Sequence, residues 1–254
     1  MSSSENRREE IIELIQTNGK VKVSELSERY GISEVSIRKD LLALEAEGHL
    51  TRIHGGAVGM NKLYVNMDLS DRIKTNANAK RELASLAVKF IEDNDTILMN
   101  AGTTLTYVLR ALRGKKNITI VTNSIPNATE VALYPSFNVI LLGGELDSKY
   151  QFTYGQDAIH QLGNYHATKC ILSVDGISAE SGLTLYYANE AALARKMIAS
   201  SDMTIVCADS SKLGKNVFAR VTDAKETDVL LTNKSTNYEA LDKLRELGVK
   251  IEEI

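Results

Sequence analysis

The chain of 254 residues contains no tryptophan, two prolines and two cysteines, and only 6% of its residues are aromatic. So few cysteines exclude a disulfide-rich scaffold and a zinc site built from four thiolates. Cys170 and Cys207 each lie within an apolar stretch, and this placement predicts buried, reduced thiols. We therefore expect a protein of a reducing compartment.

Long hydrophobic runs are also missing. No stretch approaches 18 consecutive apolar residues, and the first ten residues lack the apolar centre of a secretory signal. The sequence therefore predicts a cytoplasmic protein without a membrane partner.

The chain has no excess of positive charge that would announce a nucleic-acid partner. Its net charge is −3, and residues 1–57 carry 8 basic against 10 acidic side chains. Any inference about DNA must therefore rest on where the basic groups lie, not on their total.

The chain does have the composition and length of a globular protein with more than one domain. Hydrophobic residues make up 43% and charged residues 25%, which is close to ordinary globular usage. At about 150 residues per domain, this length favours two domains. We predict one domain over residues 1–57, a linker over 58–77 and an α/β domain over 78–254.

Residues 1–57 have the pattern of short helices followed by a glycine-rich segment. Helical spacing of apolar residues predicts a helix over Arg7–Asn18, a second that ends at Gly31, and a third that Ser33 caps. The segment Leu50–Ala57 is too short and too rich in glycine for a helix, so we predict a small β-hairpin, or wing.

The third helix has an apolar face and an opposite face suited to the major groove of DNA. Ile37, Leu41 and Leu44 share the first face, whereas the second carries Val35, Arg38, Lys39 and Leu42. We expect Arg38 to pair with guanine and Lys39 to contact a phosphate. A helical protein-interaction bundle with solvated charges is the alternative. The predicted DNA contacts are Ser33, Glu34, Ser36, Arg38 and Lys39 on the helix, and Arg52 and His54 on the wing.

The segment Val23–Leu41, continued by Leu44, Gly48 and Leu50–Ala57, closely resembles the winged helix-turn-helix of DeoR-family bacterial transcription regulators. The resemblance implies binding to double-stranded operator DNA. It matches Ser33, Ser36, Arg38 and Lys39 to the recognition helix, and Arg52–Gly56 to the wing. The main departure is Lys39, where the family often has a second arginine. That substitution keeps the charge but loses a bidentate donor.

From Asn78 onward, apolar strands alternate with amphipathic helices. Strands are predicted near residues 96–99, 118–121, 138–142, 169–174, 203–207 and 228–231. This alternation predicts a Rossmann-like α/β domain with a mostly parallel sheet covered on both faces.

Polar loops containing glycine follow several of these strands. Ligands of open α/β sheets bind where loops leave the carboxyl ends of the strands, so we expect the loops to form one site. Gly102 precedes a helix, whose free N–H groups favour an anion such as phosphate. No Walker or Gly-x-Gly-x-x-Gly motif is present, and no cofactor or metal is predicted. The alternatives are a plain helix cap at Gly102 and an ion pair of Asp175 with Lys212. The expected ligand residues are Asn100, Gly102, Thr103, Thr104, Asn123, Ser124, Gly143, Gly144, Asp175 and Lys212.

These loops, together with Gly182–Thr184 and Asp209–Lys212, resemble the effector domain of the DeoR family. The resemblance implies a fold similar to ribose-5-phosphate isomerase and control by a phosphorylated sugar. We therefore expect a homodimer or homotetramer that represses a sugar-metabolism operon. Asn100–Ala101 departs from the family's usual Asp-Ser before Gly-Thr-Thr, which removes a carboxylate from the expected site.

The rival class is a sugar-phosphate isomerase with an accessory helical domain. Isomerisation needs a base beside the carbonyl and a cation or acid near its oxygen, and Asp175 and Lys212 suit these roles. Related isomerases also carry an acid in the following helix, where this chain has Arg195 and Lys196, with Glu190 at the start. We therefore expect no catalysis. A third class, a ligand-free interaction module, does not explain the polar loops.

Overall fold

The computed structural model describes residues 3–18, 20–46, 50–53, 55–59, 67–235 and 237–254. The chain divides into two compact units, Met1–Met67 and Asp68–Ile254. Regular structure extends into the segment 58–77 that we predicted to be a linker. A strand continues to Gly59, and a helix spans Leu69–Lys74. Both elements are too short for their apolar residues to show a clear period, so the sequence did not reveal them.

The first unit contains three helices and a three-stranded antiparallel sheet. The helices are α1 (Ser3–Asn18), α2 (Val23–Tyr30) and α3 (Glu34–Ala46), and the strands are β1 (Lys20–Lys22), β2 (Leu50–Ile53) and β3 (Gly56–Gly59). The predicted wing is the pair β2–β3, to which β1 adds a strand that the sequence did not reveal. A Cβ at Gly56 would lie 2.1 Å from the Val21 carbonyl oxygen, so only glycine lets β1 approach β3.

The core of this unit holds α3 in place. Ile37, Leu41 and Leu44 are almost fully buried, as the periodicity predicted, and pack with α1 and α2. Each such side chain stabilises the fold by about 1.5 to 3 kcal/mol on burial. Asp40 is also buried, and it accepts hydrogen bonds from Arg7 Nε at 2.8 Å and Arg8 Nε at 3.1 Å. These ion pairs fix α3 against α1.

The second unit alternates strands and helices along most of its length. Its helices are α4 (Leu69–Lys74), α5 (Ala77–Ala87), α6 (Thr103–Ala111), α7 (Ile125–Val131), α8 (Gln156–Leu162), α9 (Ala188–Ala199) and α10 (Tyr238–Glu246). Its strands are β4 (Thr96–Met99), β5 (Thr119–Thr122), β6 (Asn138–Leu141), β7 (Glu145–Asp147), β8 (Phe152–Tyr154), β9 (Lys169–Ser173), β10 (Gly176–Ser178), β11 (Gly182–Leu185), β12 (Thr204–Cys207), β13 (Ala219–Thr222), β14 (Val229–Thr232) and β15 (Lys250–Glu253).

Seven of these strands form a parallel sheet in the order β15-β14-β12-β9-β4-β5-β6, which confirms the predicted fold class. Successive residues point to opposite faces. Leu98 and Leu172 therefore pack with the helices of one face, and Ile97 and Ile171 with those of the other. The chain enters the sheet at β4, proceeds to β6, and then returns to β9 on the other side of β4. The switch point of the topology thus lies between β4 and β9, where ligands of such sheets bind.

Several short elements lie outside the sequence prediction. They are the β7–β8 hairpin, the antiparallel sheet β10-β11-β13, and the edge strand β15. Strands of three or four residues carry too little alternation to be recognised, and Lys250–Glu253 is mostly charged. Within the described ranges, no helix has the length and apolarity needed to cross a membrane.

Candidate functional site

The outer face of α3 presents basic and apolar side chains to solvent. The side chain of Arg38 is 61% exposed, and Lys39 is also exposed. Val35 and Leu42 share this face and are 64% and 50% exposed. The face is therefore available to a DNA groove, as the prediction required.

Polar groups at the start of α3 are engaged with one another. The Ser36 N–H donates to Ser33 Oγ at 3.3 Å, so Ser33 caps the helix, and the two hydroxyl oxygens lie 3.1 Å apart. Arg38 donates to Glu34 Oε2 at 2.9 Å in an exposed ion pair. Surface pairs of this kind contribute about 0 to 1 kcal/mol, so Arg38 can leave Glu34 for a base at little cost.

On the wing, Arg52 is tied to α3. Its backbone N–H and its Nε donate to the two carboxylate oxygens of Glu45 at 2.8 and 2.7 Å. These bonds lower the pKa of Glu45 below its ordinary value. Arg52 remains 42% exposed and thus accessible. His54, the other predicted wing contact, lies outside the described residues.

In the second unit, the predicted ligand loops follow neighbouring strands. These parallel strands are adjacent, so the loops that follow them leave the sheet at the same side, the carboxyl ends of the strands. The strands are β6, β5, β4, β9 and β12. The parallel sheet therefore brings the five loops, which are separated by up to about a hundred residues in sequence, to a common edge.

Asn100 joins β4 to β9 at the topological switch point. Its Nδ2 donates to the Ser173 carbonyl at 3.0 Å, and its Oδ1 accepts from the Ser173 N–H at 2.9 Å. The same Nδ2 also approaches Glu190 Oε1 at 3.3 Å. The side chain is buried, so its contacts indicate a role in positioning the site.

Gly102 lies against the end of β9. A Cβ at this position would lie 2.3 Å from Ser173 Cβ and 2.8 Å from its Oγ. Gly102 is half-buried and precedes α6, whose first turn begins with Thr103, also half-buried, and Thr104, which is buried. The glycine is required for this approach, and the N-terminal N–H groups of α6 lie at the same edge as the other loops.

The next two loops are held mainly by internal contacts. Asn123 is completely buried and donates to the Thr153 carbonyl at 2.8 Å, while Ser124 Oγ caps α7. The Gly143 N–H donates to Gln161 Oε1 at 2.9 Å. A Cβ at Gly144 would lie 2.3 Å from the Tyr154 carbonyl oxygen. For Ser124, Gly143 and Gly144 the observed contacts are structural.

Three charged side chains lie at this carboxyl end of the sheet, which we call the ligand edge: Asp175, Glu190 and Lys212. Asp175 is half-buried, and its Oδ2 accepts from the Tyr186 N–H at 3.1 Å. Burial raises the pKa of Glu190 to about 8; Asp175 adds to the shift, whereas Arg72 and the hydrogen bond from Asn100 oppose it. Burial therefore favours the neutral form of the Glu190 carboxyl group.

The structure adds two lysines that the sequence reasoning missed, Lys80 and Lys215, to the predicted Lys212. The three lysines interact electrostatically with one another or with Asp209, and we call them the basic cluster. Burial lowers the pKa of Lys80 to about 8; Asp209 opposes this shift, and Lys212 and Arg72 add to it. Burial also lowers the pKa of Lys215 to about 8, with Lys212 adding to the shift and Asp209 opposing it.

A sequence signal for Lys80 did exist. Lys80 is buried and shares one helical face with Leu83, Ala84 and Ala87 of α5. A lysine on the buried face of an amphipathic helix is costly unless a partner or a ligand meets its charge. Lys80 Nζ donates to the Arg72 carbonyl of α4, and the Arg72 guanidinium lies 4.2 Å from the centroid of the Tyr150 ring.

The helix that would carry the acid of a related isomerase has a different role here. Arg195 donates from Nε to the Val221 carbonyl and from Nη2 to the Arg220 carbonyl, both at 2.8 Å. Arg195 thus fastens α9 to the strand β13. Glu190, at the other end of α9, is the acid that faces the ligand edge.

A helix-turn-helix with an exposed basic face, in one chain with an α/β unit that gathers polar loops at one edge, defines a DNA-binding transcription regulator with a sensor domain. Its family follows from the two domain models that the chain matches: the DeoR-like helix-turn-helix domain over residues 7–62 and the DeoR C terminal sensor domain over residues 75–234. The chain belongs to the DeoR family, as the sequence resemblance predicted.

Relatives of this family match nearly the full length of the chain. The lactose phosphotransferase system repressor of Streptococcus mutans is 31% identical over 247 residues, which cover 96% of each chain. The transcriptional repressor GlcR of Bacillus subtilis is 30% identical over 97% of this chain and 95% of its own. The glycerol-3-phosphate regulon repressor of Escherichia coli is 28% identical over 97% of each. Among solved structures, the crystal structure of ribose 5 phosphate isomerase A from Neisseria gonorrhoeae superposes on this chain with a TM-score of 0.40 and 20% sequence identity. The match covers 56% of this chain and 54% of that one.

Proposed function

We propose that the protein represses an operon of carbohydrate metabolism. A phosphorylated sugar bound at the carboxyl ends of the parallel strands would lower the affinity of the protein for its operator. The observation that carries this proposal is the basic cluster of Lys80, Lys212 and Lys215 around Asp209. Relatives of the chain include repressors of a glycerol-3-phosphate regulon and of a lactose phosphotransferase system, and their names support the same class of effector.

The basic cluster is suited to the phosphate of the effector. Burial disfavours the charged form of a lysine, as the lowered pKa values of Lys80 and Lys215 indicate. A phosphate dianion would offset that cost by accepting charge-assisted hydrogen bonds from these ammonium groups. The N–H groups in the first turn of α6, at Thr103 and Thr104, would contribute from the same end of the sheet.

The hydroxyl groups of the sugar would meet the remaining polar residues. Asp175 is an acceptor for hydroxyls, and the protonated carboxyl of Glu190 is a donor. Asn123 Oδ1 is a buried acceptor that finds no donor among the described residues, so a sugar hydroxyl would satisfy it. Asn100 would position Glu190 and the end of β9 rather than bind the sugar directly.

Control of DNA binding would follow from linkage between the two sites. We propose a homodimer or homotetramer whose paired recognition helices match the spacing of two operator half-sites. The effector would favour an arrangement in which that match is lost. A coupling of about 1 to 3 kcal/mol is enough to change operator affinity by 5-fold to 150-fold. Sedimentation of the protein alone and on operator DNA measures the oligomer.

The effector is tested by thermal unfolding of the full-length protein with a panel of sugar phosphates and their unphosphorylated sugars. A ligand present at 100 times its dissociation constant stabilises the folded protein by about 2.7 kcal/mol. We expect one phosphorylated sugar to raise the melting temperature and to weaken an electrophoretic shift on the protein's own upstream DNA. No response to any phosphate, or equal responses to phosphorylated and unphosphorylated sugars, would overturn the proposal.

Two variants locate the effector within the structure. Lys80→Met removes a buried ammonium group but keeps the length of the side chain, and we expect it to abolish the response to the phosphate while operator binding persists. Lys225→Met removes an exposed lysine elsewhere in the same unit and should leave the response intact. Conversion of ribose 5-phosphate by the wild-type protein would instead support the isomerase.

A further inference from the structure

The recognition helix carries an exposed apolar side chain, Val35, at the start of its basic face. Val35 is 64% exposed in the first turn of α3, next to Ser36 and one helical turn from the exposed cations Arg38 and Lys39. Burying a valine in the core of this unit would stabilise the fold. The fold leaves Val35 in water instead, on the face that DNA would cover.

The positive charge around Val35 indicates that DNA is the molecule that covers it. Positions 35, 38 and 39 are neighbours on one side of a helix. The cations at 38 and 39 would be drawn to phosphates and base acceptors on either side of the position that Val35 occupies, which places Val35 at the floor of the major groove. The apolar group presented there is the C5-methyl group of thymine.

We propose that Val35 contacts the methyl group of one thymine in each operator half-site and thereby sets the preference for thymine at that position. The neighbouring Arg38 would read the adjacent guanine. Val35 would thus be a specificity-determining residue, distinct from the residues that supply hydrogen bonds or charge. This inference concerns the DNA-binding unit alone and does not depend on the identity of the effector.

Leu42 provides a matched control on the same helix. It is an aliphatic residue on the same face, 50% exposed, and lies seven residues further along α3. Seven residues correspond to about 10 Å along the helix axis. Helices of this class contact bases mainly through their N-terminal residues, so Leu42 lies beyond the base edges that Val35 reaches.

The test removes the methyl group of thymine and the methyl groups of Val35, first separately and then together. An operator is selected from a random duplex library with the full-length protein, and each thymine is then replaced singly by deoxyuridine, which lacks only the methyl group. For the wild-type protein we expect one thymine per half-site at which the replacement weakens binding about threefold to fivefold, the effect of one buried methyl group. Val35→Ala should weaken binding to the thymine operator and be indifferent to deoxyuridine at that position, whereas Leu42→Ala should retain the wild-type sensitivity.

Three results would overturn the inference. The first is a wild-type protein insensitive to every deoxyuridine replacement. The second is a Val35→Ala protein that still distinguishes thymine from deoxyuridine wherever the wild type does. The third is a Val35→Ala protein whose sedimentation differs from that of the wild type, because Val35 would then serve a contact between protein chains. The deoxyuridine series on the wild type requires no variant, so the proposal stays falsifiable even if Val35→Ala folds poorly.

Discussion

The Asn100 carboxamide donates from Nδ2 to Oε1 of the buried Glu190 carboxyl group at 3.3 Å, just beyond the carboxyl end of β4. Asn100 stands where the sequence resemblance led us to expect an aspartate. A carboxylate there would stand beside the carboxyl group of Glu190, whereas the amide of Asn100 donates a hydrogen bond to it. The pair makes the ligand edge of this protein less acidic than the resemblance implied.

Glu190→Gln should stabilise the protein, and more so at higher pH. The pKa of Glu190 rises from its ordinary 4.5 to about 8 on folding. Between these values the unfolded chain releases a proton that the folded chain keeps, so this group makes stability fall as pH rises. The variant lacks that penalty, and each pKa unit corresponds to about 1.4 kcal/mol. We expect no difference near pH 4.5 and a gain of at least about 1 kcal/mol by pH 8 in urea denaturation.

Glu180→Gln is the control for that measurement. Its own backbone N–H and Lys243 lower the pKa of the exposed Glu180, so its contribution to stability is lost as pH falls, which is the opposite trend. A difference between Glu190→Gln and the wild type that does not grow between pH 5 and 8 would show that Glu190 ionises freely in the folded protein.

Gly102→Ala should abolish the effector response by displacing the end of β9. The added Cβ would lie 2.3 Å from Ser173 Cβ, and real side chains do not approach so closely. We expect the melting temperature to fall and the sugar-phosphate shift to disappear, whereas operator binding persists.

Ser173→Gly in the same chain removes the atoms that the new Cβ would strike. The double variant should therefore regain part of the lost stability and effector response, measured by thermal unfolding with and without the effector. If Gly102→Ala alone responds normally, the anion site lies elsewhere than at this loop.

Patterns that repeat along the chain were predictable from the sequence, and placements set by tertiary contacts were not. The core face of α3 and the buried strands follow from the spacing of residues such as Ile37 and Leu98. Lys80 was missed because a single lysine on an apolar face looks like an interruption until α5 packs against the sheet. Strand β1 exists because Gly56 lets Val21 approach, which is a contact between distant residues.

Asp40→Ala should destabilise the DNA-binding unit without touching a DNA contact. Asp40 is buried and receives hydrogen bonds from Arg7 and Arg8, and bonds to charged groups contribute about 1.5 to 3 kcal/mol. We expect a loss of that order, detected as faster amide exchange in α3. Glu25→Ala breaks the exposed pair with Lys22 and should cost about 0 to 1 kcal/mol. Equal effects of the two variants would contradict the anchoring role of Asp40.

Arg38→Ala and Lys39→Ala should weaken operator binding in different ways, because the two side chains are assigned to different parts of the DNA. Loss of Arg38 should cost about 1 to 3 kcal/mol on the selected operator and relax the preference at one base pair. Loss of Lys39 should weaken all sequences alike and reduce the slope of log affinity against log salt by about 1. Fluorescence anisotropy on operator and scrambled duplexes at several salt concentrations separates the two patterns. If Arg38→Ala binds the operator as the wild type does, the guanine contact belongs to another residue, and if Lys39→Ala alters base preference, its side chain reads bases rather than the backbone.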